Sequence, residues 1–307
     1  MSYHLSVMLD EVIESLRIQS DGIYLDATVG GGGHASKILE KIDRGLLIAM
    51  DKDDEALHYA KRKLKAIGGN FVLARGDFAN APELLDELEI DFIDGALLDL
   101  GVSSHQLDEA MRGFSYHQDA PLDMRMDRSQ KQNAQTIVNE YSEDELTDIL
   151  YRYGEEKWAR RIARFIVEYR PIETTFELVD VIKRAVPAGA RDRKHPARRT
   201  FQALRIAVNN ELDDLSQNIE DIVERLTPGG RIAILTFHSL EDRIVKNTFR
   251  DLEKGCRCPE GIPVCVCGGE SMGKVITRKP IIASNRELEF NTRSRSAKLR
   301  VFERRSR

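Results

Sequence analysis

Four consecutive glycines, Gly30 to Gly33, follow an apolar run that ends at Asp26 and precede a helical pattern. This order predicts a strand, a tight turn and a helix. Glycine lets the backbone turn sharply and approach a ligand closely, and the first N–H groups of a helix have no intrahelical partner. One glycine would suffice for the turn, and each loses much conformational freedom on folding. The run therefore predicts a cradle for a small cofactor.

The composition indicates a globular protein with a full core. The chain has 307 residues, of which 41% are hydrophobic and 32% charged, enough for one large domain or a domain with an insertion. No apolar run approaches the roughly 20 residues of a membrane-spanning helix, and the N-terminus lacks a secretory pattern. All four cysteines lie between Cys256 and Cys267, which fits a reducing compartment. We therefore expect a cytoplasmic protein without membrane contact.

Short apolar runs alternate with helical patterns in the first hundred residues. The runs are 23–25, 46–50, 71–73 and 92–98, and the helical patterns are 35–39, 54–64 and 82–88. Strict alternation predicts an α/β fold with parallel strands joined by helical crossovers. A ligand of such a sheet binds outside the carboxyl ends of the strands.

The alternation stops after Gly101 and gives way to about a hundred polar and helical residues. Two capping boxes, Ser142 with Glu145 and Thr174 with Glu177, precede apolar stripes at helical spacing. These stripes are typical of a helical core rather than of a base-stacking platform. We therefore expect an inserted all-helical domain over residues 111–209, with residues 1–110 and 210–307 forming the sheet domain.

The patterns after the insertion predict a return to the sheet. A single long helix is expected over residues 198–226, ended by the turn at 227–230 and followed by a strand at 231–237. Residues 275–282 and 298–302 are expected to form a closing pair of strands.

Positive charge is concentrated in two places although the formal net charge is −5. The first cluster contains Arg191, Arg193, Lys194, Arg198, Arg199 and Arg205, and the second contains Arg293, Arg295, Lys298, Arg300, Arg304, Arg305 and Arg307. Each cluster by itself is as consistent with a solvated surface as with a binding site. Two such clusters in an acidic protein favour a nucleic-acid partner.

The glycine run matches a dinucleotide fingerprint, G-x-G-x-x-A from Gly30 to Ala35, with Asp51 placed for a ribose hydroxyl. This match alone does not distinguish cofactors. A pyrophosphate is an anion, whereas S-adenosylmethionine carries a sulfonium cation and no phosphate. Asp26 and Asp99 also end apolar runs, so carboxylates at three strand ends favour the cation, although a single aspartate there is more often a cap or turn residue.

Longer motifs add to this pattern. The spacing D-x-x-x-G-x-G from Asp26 resembles the first motif of class I S-adenosylmethionine-dependent methyltransferases. The others are HLSVMLDE at 4–11, LDLGVSS at 98–104 with QLD at 106–108, GFS at 113–115, PLDMRMD at 121–127, KHP at 194–196 with FQALR at 201–205, TFHSLEDR at 236–243 and NTRSRSAKLR at 291–300. Nearly the whole chain thus resembles the methyltransferase H family, bacterial 16S ribosomal RNA cytosine-N4 methyltransferases.

The resemblance implies a Rossmann-like class I methyltransferase sheet with a helical insertion that recognises RNA. It implies N4-methylation of a cytidine in the decoding region of 16S rRNA, within the small ribosomal subunit, with S-adenosylmethionine as donor. The oligomeric state stays open. The family's cofactor positions fall on Gly32, Gly33, His34, Asp51, Phe78, Asp99 and Gln106.

Each cofactor position has a physical role. The glycine amides are expected at the methionine portion, Asp51 at the ribose, Phe78 against the adenine, and Asp99 with Gln106 at the sulfonium end. Without the resemblance, Phe78 would be interpreted as a core aromatic residue and His34 as a polar helix-start residue.

The reaction requires help because the cytosine amine delocalises its lone pair into the ring. The enzyme must hold the amine near the methyl carbon and stabilise the positive charge that develops on nitrogen. Asp99, or the backbone around Leu100, is the candidate acceptor of hydrogen bonds from the amine. The sequence does not distinguish whether Asp99 serves the cofactor, the base or both. Arg125, His195, Arg199, His238 and Arg243 are candidates to hold phosphates or the base.

The four cysteines, Cys256, Cys258, Cys265 and Cys267, form two C-x-C pairs separated by prolines and a glycine. Four thiolates can close on a structural zinc ion. The one-residue spacing is tighter than usual, so reduced or oxidised thiols remain an equal alternative and no metal is assigned.

Two other functions remain open from the sequence. A nicotinamide-dependent oxidoreductase would use the same glycine fingerprint, but no hydride-relay residues are evident and the basic clusters stay unexplained. A non-catalytic ribosome-assembly protein that binds RNA would keep the fold without the reaction.

Overall fold

The computed structural model describes residues 5–190, 195–256, 258 and 267–305. Some residues singled out above lie outside these ranges: His4, Arg191, Arg193, Lys194, Cys265 and Arg307. Within the described ranges, no helix combines the length and apolarity needed to cross a membrane.

The core of the fold is one sheet. Its strands are β1 (Ile23–Asp26), β2 (Leu46–Asp51), β3 (Phe71–Arg75), β4 (Ile93–Asp99), β5 (Leu226–Thr236), β6 (Gly273–Val275), β7 (Ile281–Ile282) and β8 (Lys298–Arg304). The order is β3-β2-β1-β4-β5-β8-β6, and β7 also pairs with β8. The first five strands are parallel, whereas β8 is antiparallel to β5, β6 and β7. The expected mostly parallel α/β sheet is confirmed, and its strand order reverses between β1 and β4, where ligands of such sheets bind.

Helices connect the strands and build the second half of the fold. They are α1 (Leu9–Leu16), α2 (Gly33–Leu39), α3 (Asp54–Ile67), α4 (Ala81–Glu87), α5 (Ser104–Asp108), α6 (Ala134–Glu140), α7 (Glu143–Gly154), α8 (Ala159–Glu168), α9 (Thr175–Ala185), α10 (Arg198–Asn209), α11 (Leu215–Glu224), α12 (Ser239–Lys254) and α13 (Asn285–Phe290). Short 3₁₀ turns lie at Phe78–Asn80, Ala110–Arg112, Ala188–Ala190 and Thr292–Ser296.

The chain divides into two compact units. The sheet unit comprises Met1–Gly101 and Asp214–Arg307, and the helical unit comprises Val102–Asp213. The helical unit begins at Val102 rather than at residue 111 because Val102 and Leu107 pack against its apolar core. That core consists of buried residues from α6 to α10 and of Phe114, Leu122, Met124 and Met126 from the segment before α6. Both expected capping boxes are formed at the starts of α7 and α9.

The long helix expected over residues 198–226 is wrong, because the chain forms α10 and α11 with a break between them. Asn210 and Asp214 adopt positive φ angles of 50° and 54°, a left-handed conformation that ends a helix. The apolar spacing continues across the break, so periodicity did not reveal it.

The turn expected at residues 227–230 lies inside β5 rather than before it. Leu226 pairs with Ile93 and Arg231 pairs with Gly95, so four residues of β5 stand opposite a single residue of β4. These residues form an irregularity of the strand, and the sheet register resumes at Arg231.

The two ends of the described chain meet at Glu287. Its Oε1 accepts hydrogen bonds from Met8 N (3.1 Å), Asn291 Nδ2 (3.2 Å) and Ser294 Oγ (2.5 Å). Asn291 Nδ2 also donates to Leu5 O at 3.3 Å. The first and last motifs of the sequence therefore hold the N-terminal segment on the sheet unit.

Candidate active site

Three carboxylates lie at the carboxyl ends of three adjacent strands. Asp26 ends β1, Asp51 ends β2 and Asp99 ends β4. Asp26 pairs in register with Ala49 and Leu97, so Asp51 and Asp99 extend two residues beyond it on either side. Together with the turn at residues 30–33, these carboxylates form the strand-end site, at the point where the strand order reverses.

The glycine turn is fixed by both neighbouring strands. Val29 N donates to Met50 O at 2.9 Å, and Gly30 N donates to Asp51 Oδ2 at 2.8 Å. Gly32 has a φ of 72°, and a Cβ there would stand 3.1 Å from Ala60 Cα, whereas a Cβ on Gly31 would meet nothing within 4 Å. The turn needs glycine for conformation and close packing at Gly32, and it leaves open space beside Gly31.

Two carboxylate oxygens of the site are buried without a hydrogen-bond partner in the described ranges, although the Asp99 side chain as a whole is 26% exposed. Asp26 is 1% exposed, and no group in the described ranges hydrogen-bonds its Oδ2 or the buried Oδ1 of Asp99. Burial, with a smaller contribution from the charge of Asp51, raises the pKa of Asp26 to about 7. Burial and then the charges of Asp26 and Glu241 raise the pKa of Asp99 to about 8. The site therefore has a shortage of positive charge.

His34 lies in the first turn of α2 and is 5% exposed. Burial lowers its pKa to about 4, so the ring is neutral near pH 7. Nε2 lies 3.0 Å from Val7 O and must carry the hydrogen, because a carbonyl only accepts. Nδ1 therefore presents a lone pair toward Asp99 Oδ2, which lies 3.6 Å away.

Asp51 and Phe78 occupy neighbouring positions at the ends of β2 and β3. Asp51 Oδ1 accepts a hydrogen bond from Asp53 N at 2.9 Å, in addition to the bond from Gly30 N. Burial raises the pKa of Asp51, and these two N–H donors oppose the rise. Phe78 is half-buried in a 3₁₀ turn just after β3, and Gly76 N donates to Asp51 O at 3.0 Å.

Glu241 is a residue that the sequence reasoning did not select for the site. Its side chain is 2% exposed, and its Oε2 accepts hydrogen bonds from Phe237 N (2.8 Å) and His238 N (3.2 Å). A Cβ on Gly101 would stand 3.9 Å from its Oε1, and its charge helps to raise the pKa of Asp99. The spacing of His238 and Glu241 was the available signal, because histidine here takes the N-cap position of a capping box.

Gln106 belongs to the helical unit, where it forms part of a capping box at the start of α5. Its Oε1 accepts from Ser103 N at 2.9 Å, and its N donates to Ser103 Oγ at 3.2 Å. The expected role of Gln106 near the sulfonium stays a prediction.

Arg125 braces its own loop. Its guanidinium donates to both carboxylate oxygens of Asp123 at 2.6 and 2.9 Å, and to the carbonyls of Arg128 (3.1 Å) and Gln130 (2.7 Å). Four of its five N–H bonds are therefore used within this segment, which is the geometry of a structural brace rather than of a phosphate ligand.

His195 lies in an aromatic cluster of the helical unit. Its ring stacks on Tyr116 with centroids 4.7 Å apart and planes 9° apart, and His117 lies 5.9 Å away. Burial, then the charges of His117 and Lys183, lower the pKa of His195. Arg199 follows on α10 and is half-buried.

His238 and Arg243 lie on the sheet unit, at or near the start of α12. The His238 Nδ1 accepts from Glu241 N at 3.4 Å, while its Nε2 lies 2.9 Å from Glu241 Oε1 without hydrogen-bond geometry. Its ring is 7% exposed and therefore mainly caps the helix. Arg243 is exposed.

Three cations of the C-terminal basic cluster, Lys298, Arg300 and Arg304, are used within the fold, whereas Arg295 and Arg305 of the same cluster are exposed. Arg300 is 4% exposed, and its Nε donates to Asp242 Oδ1 at 2.6 Å, while Lys298 Nζ donates to Asp242 Oδ2 at 2.9 Å. Arg304 donates to Val223 O at 2.5 Å. These cations lie on β8, where they tie the strand to helices packed on it.

The strand-end site fits S-adenosylmethionine on three observations. Unpartnered buried oxygens of Asp26 and Asp99 provide negative charge for a sulfonium. The space beside Gly31 admits a ligand, and Asp51 has a carboxylate in position for hydroxyl groups. A pyrophosphate would add negative charge to this site, which disfavours the dinucleotide.

Comparison with known proteins gives the same result. Residues 1–305 match the model of the MraW methylase family. Ribosomal RNA small subunit methyltransferase H of Clostridium botulinum (strain Kyoto / Type A2) is 56% identical over 302 residues, covering 97% of each chain. The protein of the same name from Clostridioides difficile (strain 630) is 55% identical over 306 residues, covering 98% of each.

Among solved structures, an rRNA methylase from Streptococcus thermophilus aligns over 97% of this chain and 94% of its own, with 15% identity and a TM-score of 0.41. A similarity this low does not define the fold, which rests on the strand order described above. The full-length family match and the high identities together show that this chain belongs to the MraW methylase family and is a methyltransferase with S-adenosylmethionine as its methyl donor.

Proposed function

We propose that this enzyme methylates the N4 amine of a cytidine in the decoding region of 16S rRNA, with the small ribosomal subunit as substrate and the cytoplasm as location. The names of the relatives, small-subunit rRNA methyltransferases, support the RNA class. The sequence resemblance supports the cytosine amine. The single structural observation that supports amine chemistry is the buried, unpartnered Oδ1 of Asp99 at the end of β4.

The bound donor supplies an electrophilic methyl carbon on a positively charged sulfur. The chain's own residues supply position and charge. Glycine amides and Asp51 would hold the donor's polar ends, and Phe78 would lie against its adenine. Asp99 accepts a hydrogen bond from the cytosine amine, and this bond orients the nitrogen lone pair toward the methyl carbon.

Proton transfer completes the reaction. The amine nitrogen forms the new N–C bond as the S–C bond breaks, and one N–H proton leaves the nitrogen. Asp99 receives this proton, since its pKa of about 8 makes it a competent base near neutral pH. Asp99, whose side chain is 26% exposed, then releases the proton to solvent.

We assign RNA contacts to exposed or half-buried groups rather than to the internal ion pairs. His195 and Arg199 on the helical unit and Arg243 on the sheet unit are the candidates. The braced Arg125 is placed in a supporting role, and His238 acts as a helix cap. This assignment gives the helical unit a part in RNA recognition.

The function is tested by mapping methylated cytidines in small-subunit rRNA from cells that lack the gene. Complementation with the wild-type gene is expected to restore one N4-methylcytidine in the decoding region, and complementation with Asp99→Asn is not. An unchanged methylation map in the deletion strain would refute the proposal.

The target base must leave its stack to reach such a site, which disfavours duplex RNA as a substrate. We expect an assembled small-subunit particle to be methylated faster than a naked RNA duplex of the same sequence. Equal turnover on a short synthetic hairpin would contradict this expectation.

A further inference from the structure

The segment that follows α12 brings cysteine sulfurs together at the edge of the sheet unit. Cys256 follows the C-terminus of α12, and the Sγ atoms of Cys256, Cys258 and Cys267 all lie within 4.8 Å of one another. We propose that Cys256, Cys258 and Cys267 bind a structural zinc ion as thiolates.

The sulfur spacing matches one metal ion. Two thiolates at a Zn–S distance of about 2.3 Å on a tetrahedral centre stand about 3.8 Å apart, by the geometry of the tetrahedron. Cys256 Sγ and Cys267 Sγ are 3.8 Å apart. A disulfide would require about 2.05 Å, so oxidation would have to pull these sulfurs together, whereas zinc requires no such movement.

The backbone around Cys267 is arranged for a charged sulfur. Gly269 N donates to Cys267 Sγ at 3.4 Å, and the intervening Gly268 has a φ of 63°, which turns the amide back toward the sulfur. Such amide bonds to ligating sulfur orient the ligand and tune its charge.

The loop closes on itself at a glycine contact. A Cβ on Gly269 would stand 2.1 Å from Gly255 O, and one on Gly255 would stand 2.2 Å from Glu270 C. The chain therefore leaves α12 and returns to it at one point, and Met272 N donates to Leu252 O at 2.9 Å just before β6. A metal crosslink here would fix the approach of β6 to β8.

Thiolate-only ligands select zinc over hard cations such as magnesium and calcium. The position of this cluster indicates a structural role, because β8 and β5 separate β6 from β4 and its Asp99. The sequence interpretation places Cys265 as a fourth ligand; that residue lies outside the described ranges, so the proposal stands on the other three.

The test is metal analysis of full-length protein purified under reducing conditions, refilled with zinc and desalted. We expect about one zinc per chain in the wild type and at least a tenfold loss in Cys256→Ser and Cys267→Ser. Ser271→Ala, in the same loop but with a hydroxyl that donates to Gly273 O, is the matched control and should keep its zinc.

A second measurement covers the case in which the serine variants do not fold. Wild-type protein reconstituted with cobalt should show the thiolate-to-cobalt charge-transfer band and the intense visible bands of a tetrahedral site. Chelation should lower the Tm while the affinity for S-adenosylmethionine stays within twofold. Substoichiometric zinc after refilling, iron in its place, a Cys256–Cys267 disulfide in the purified protein or a cobalt spectrum without thiolate bands would each overturn the proposal.

Discussion

Asp99 and Asp242 are acidic residues of the same sheet unit, yet their surroundings are opposite. Asp242 binds Arg300 and Lys298 at 2.6 and 2.9 Å, and these cations hold its pKa below the ordinary value despite burial. Burial, and then the charges of Asp26 and Glu241, raise the pKa of Asp99, and its neighbour His34, 3.6 Å away, is neutral. The carboxylate that supports the fold has its cations within the chain, whereas Asp99, which we propose to serve a cationic donor, has none beside it in the described ranges.

The largest expected effect follows from removing the Asp99 carboxylate. Asp99→Asn should lower kcat for methylation of small-subunit particles by about 100- to 1,000-fold, because the amide cannot take the amine proton. The affinity for donor should change far less, as measured by calorimetry. A variant with kcat within threefold of the wild type would show that Asp99 is not the base.

Loss of the Asp242 carboxylate, which is paired with cations, should lower the stability of the protein instead. Asp242→Asn leaves the buried Arg300 without its partner and should lower the free energy of unfolding by about 3 kcal/mol in urea titrations. The pKa of Asp242 is depressed, so its contribution is present above pH 4 and disappears as the pH falls below that value. Unchanged stability at pH 7 would remove the contrast between the two sites.

Asp26 should have the opposite effect on the pH dependence of the free energy of unfolding. Its folded-state pKa of about 7 exceeds the ordinary 3.8, so the folded protein keeps a proton that the unfolded chain releases between pH 4 and 7. Stability therefore falls as the pH rises through that window. Asp26→Asn should stabilise the unliganded protein by about 2 kcal/mol at pH 8 and by almost nothing at pH 4. Destabilisation at pH 8 would contradict this account.

The smallest expected effect is on ligand affinity, and it depends on the positive charge of the ligand. Affinity for S-adenosylmethionine should rise about tenfold between pH 6 and 8.5, as Asp26 and Asp99 lose their protons. S-adenosylhomocysteine lacks the sulfonium charge but keeps the other groups, so its affinity should change by less than threefold. Parallel pH profiles for the two ligands would mean that the carboxylates do not sense the sulfonium.

Local signals were sufficient for much of the sheet unit. Alternating apolar runs located the parallel strands, and the glycines with Asp26, Asp51 and Asp99 located the strand-end site, because strand ends and tight turns depend on neighbouring residues. Capping boxes located α7 and α9 for the same reason. The break between α10 and α11 was missed, since the apolar spacing continues across Asn210.

The sequence by itself determined the fold class, the family and the three carboxylates at the strand ends, since these depend on short-range patterns and long motifs. Only the tertiary structure decided which charges are available for ligands. Arg300 and Arg125 looked like RNA-binding cations, but contacts with Asp242 and Asp123 occupy them. Glu241 gained importance only through its position beside Gly101. Charge pairing depends on distances in space between residues that are remote in sequence, and spacing along the chain does not contain those distances.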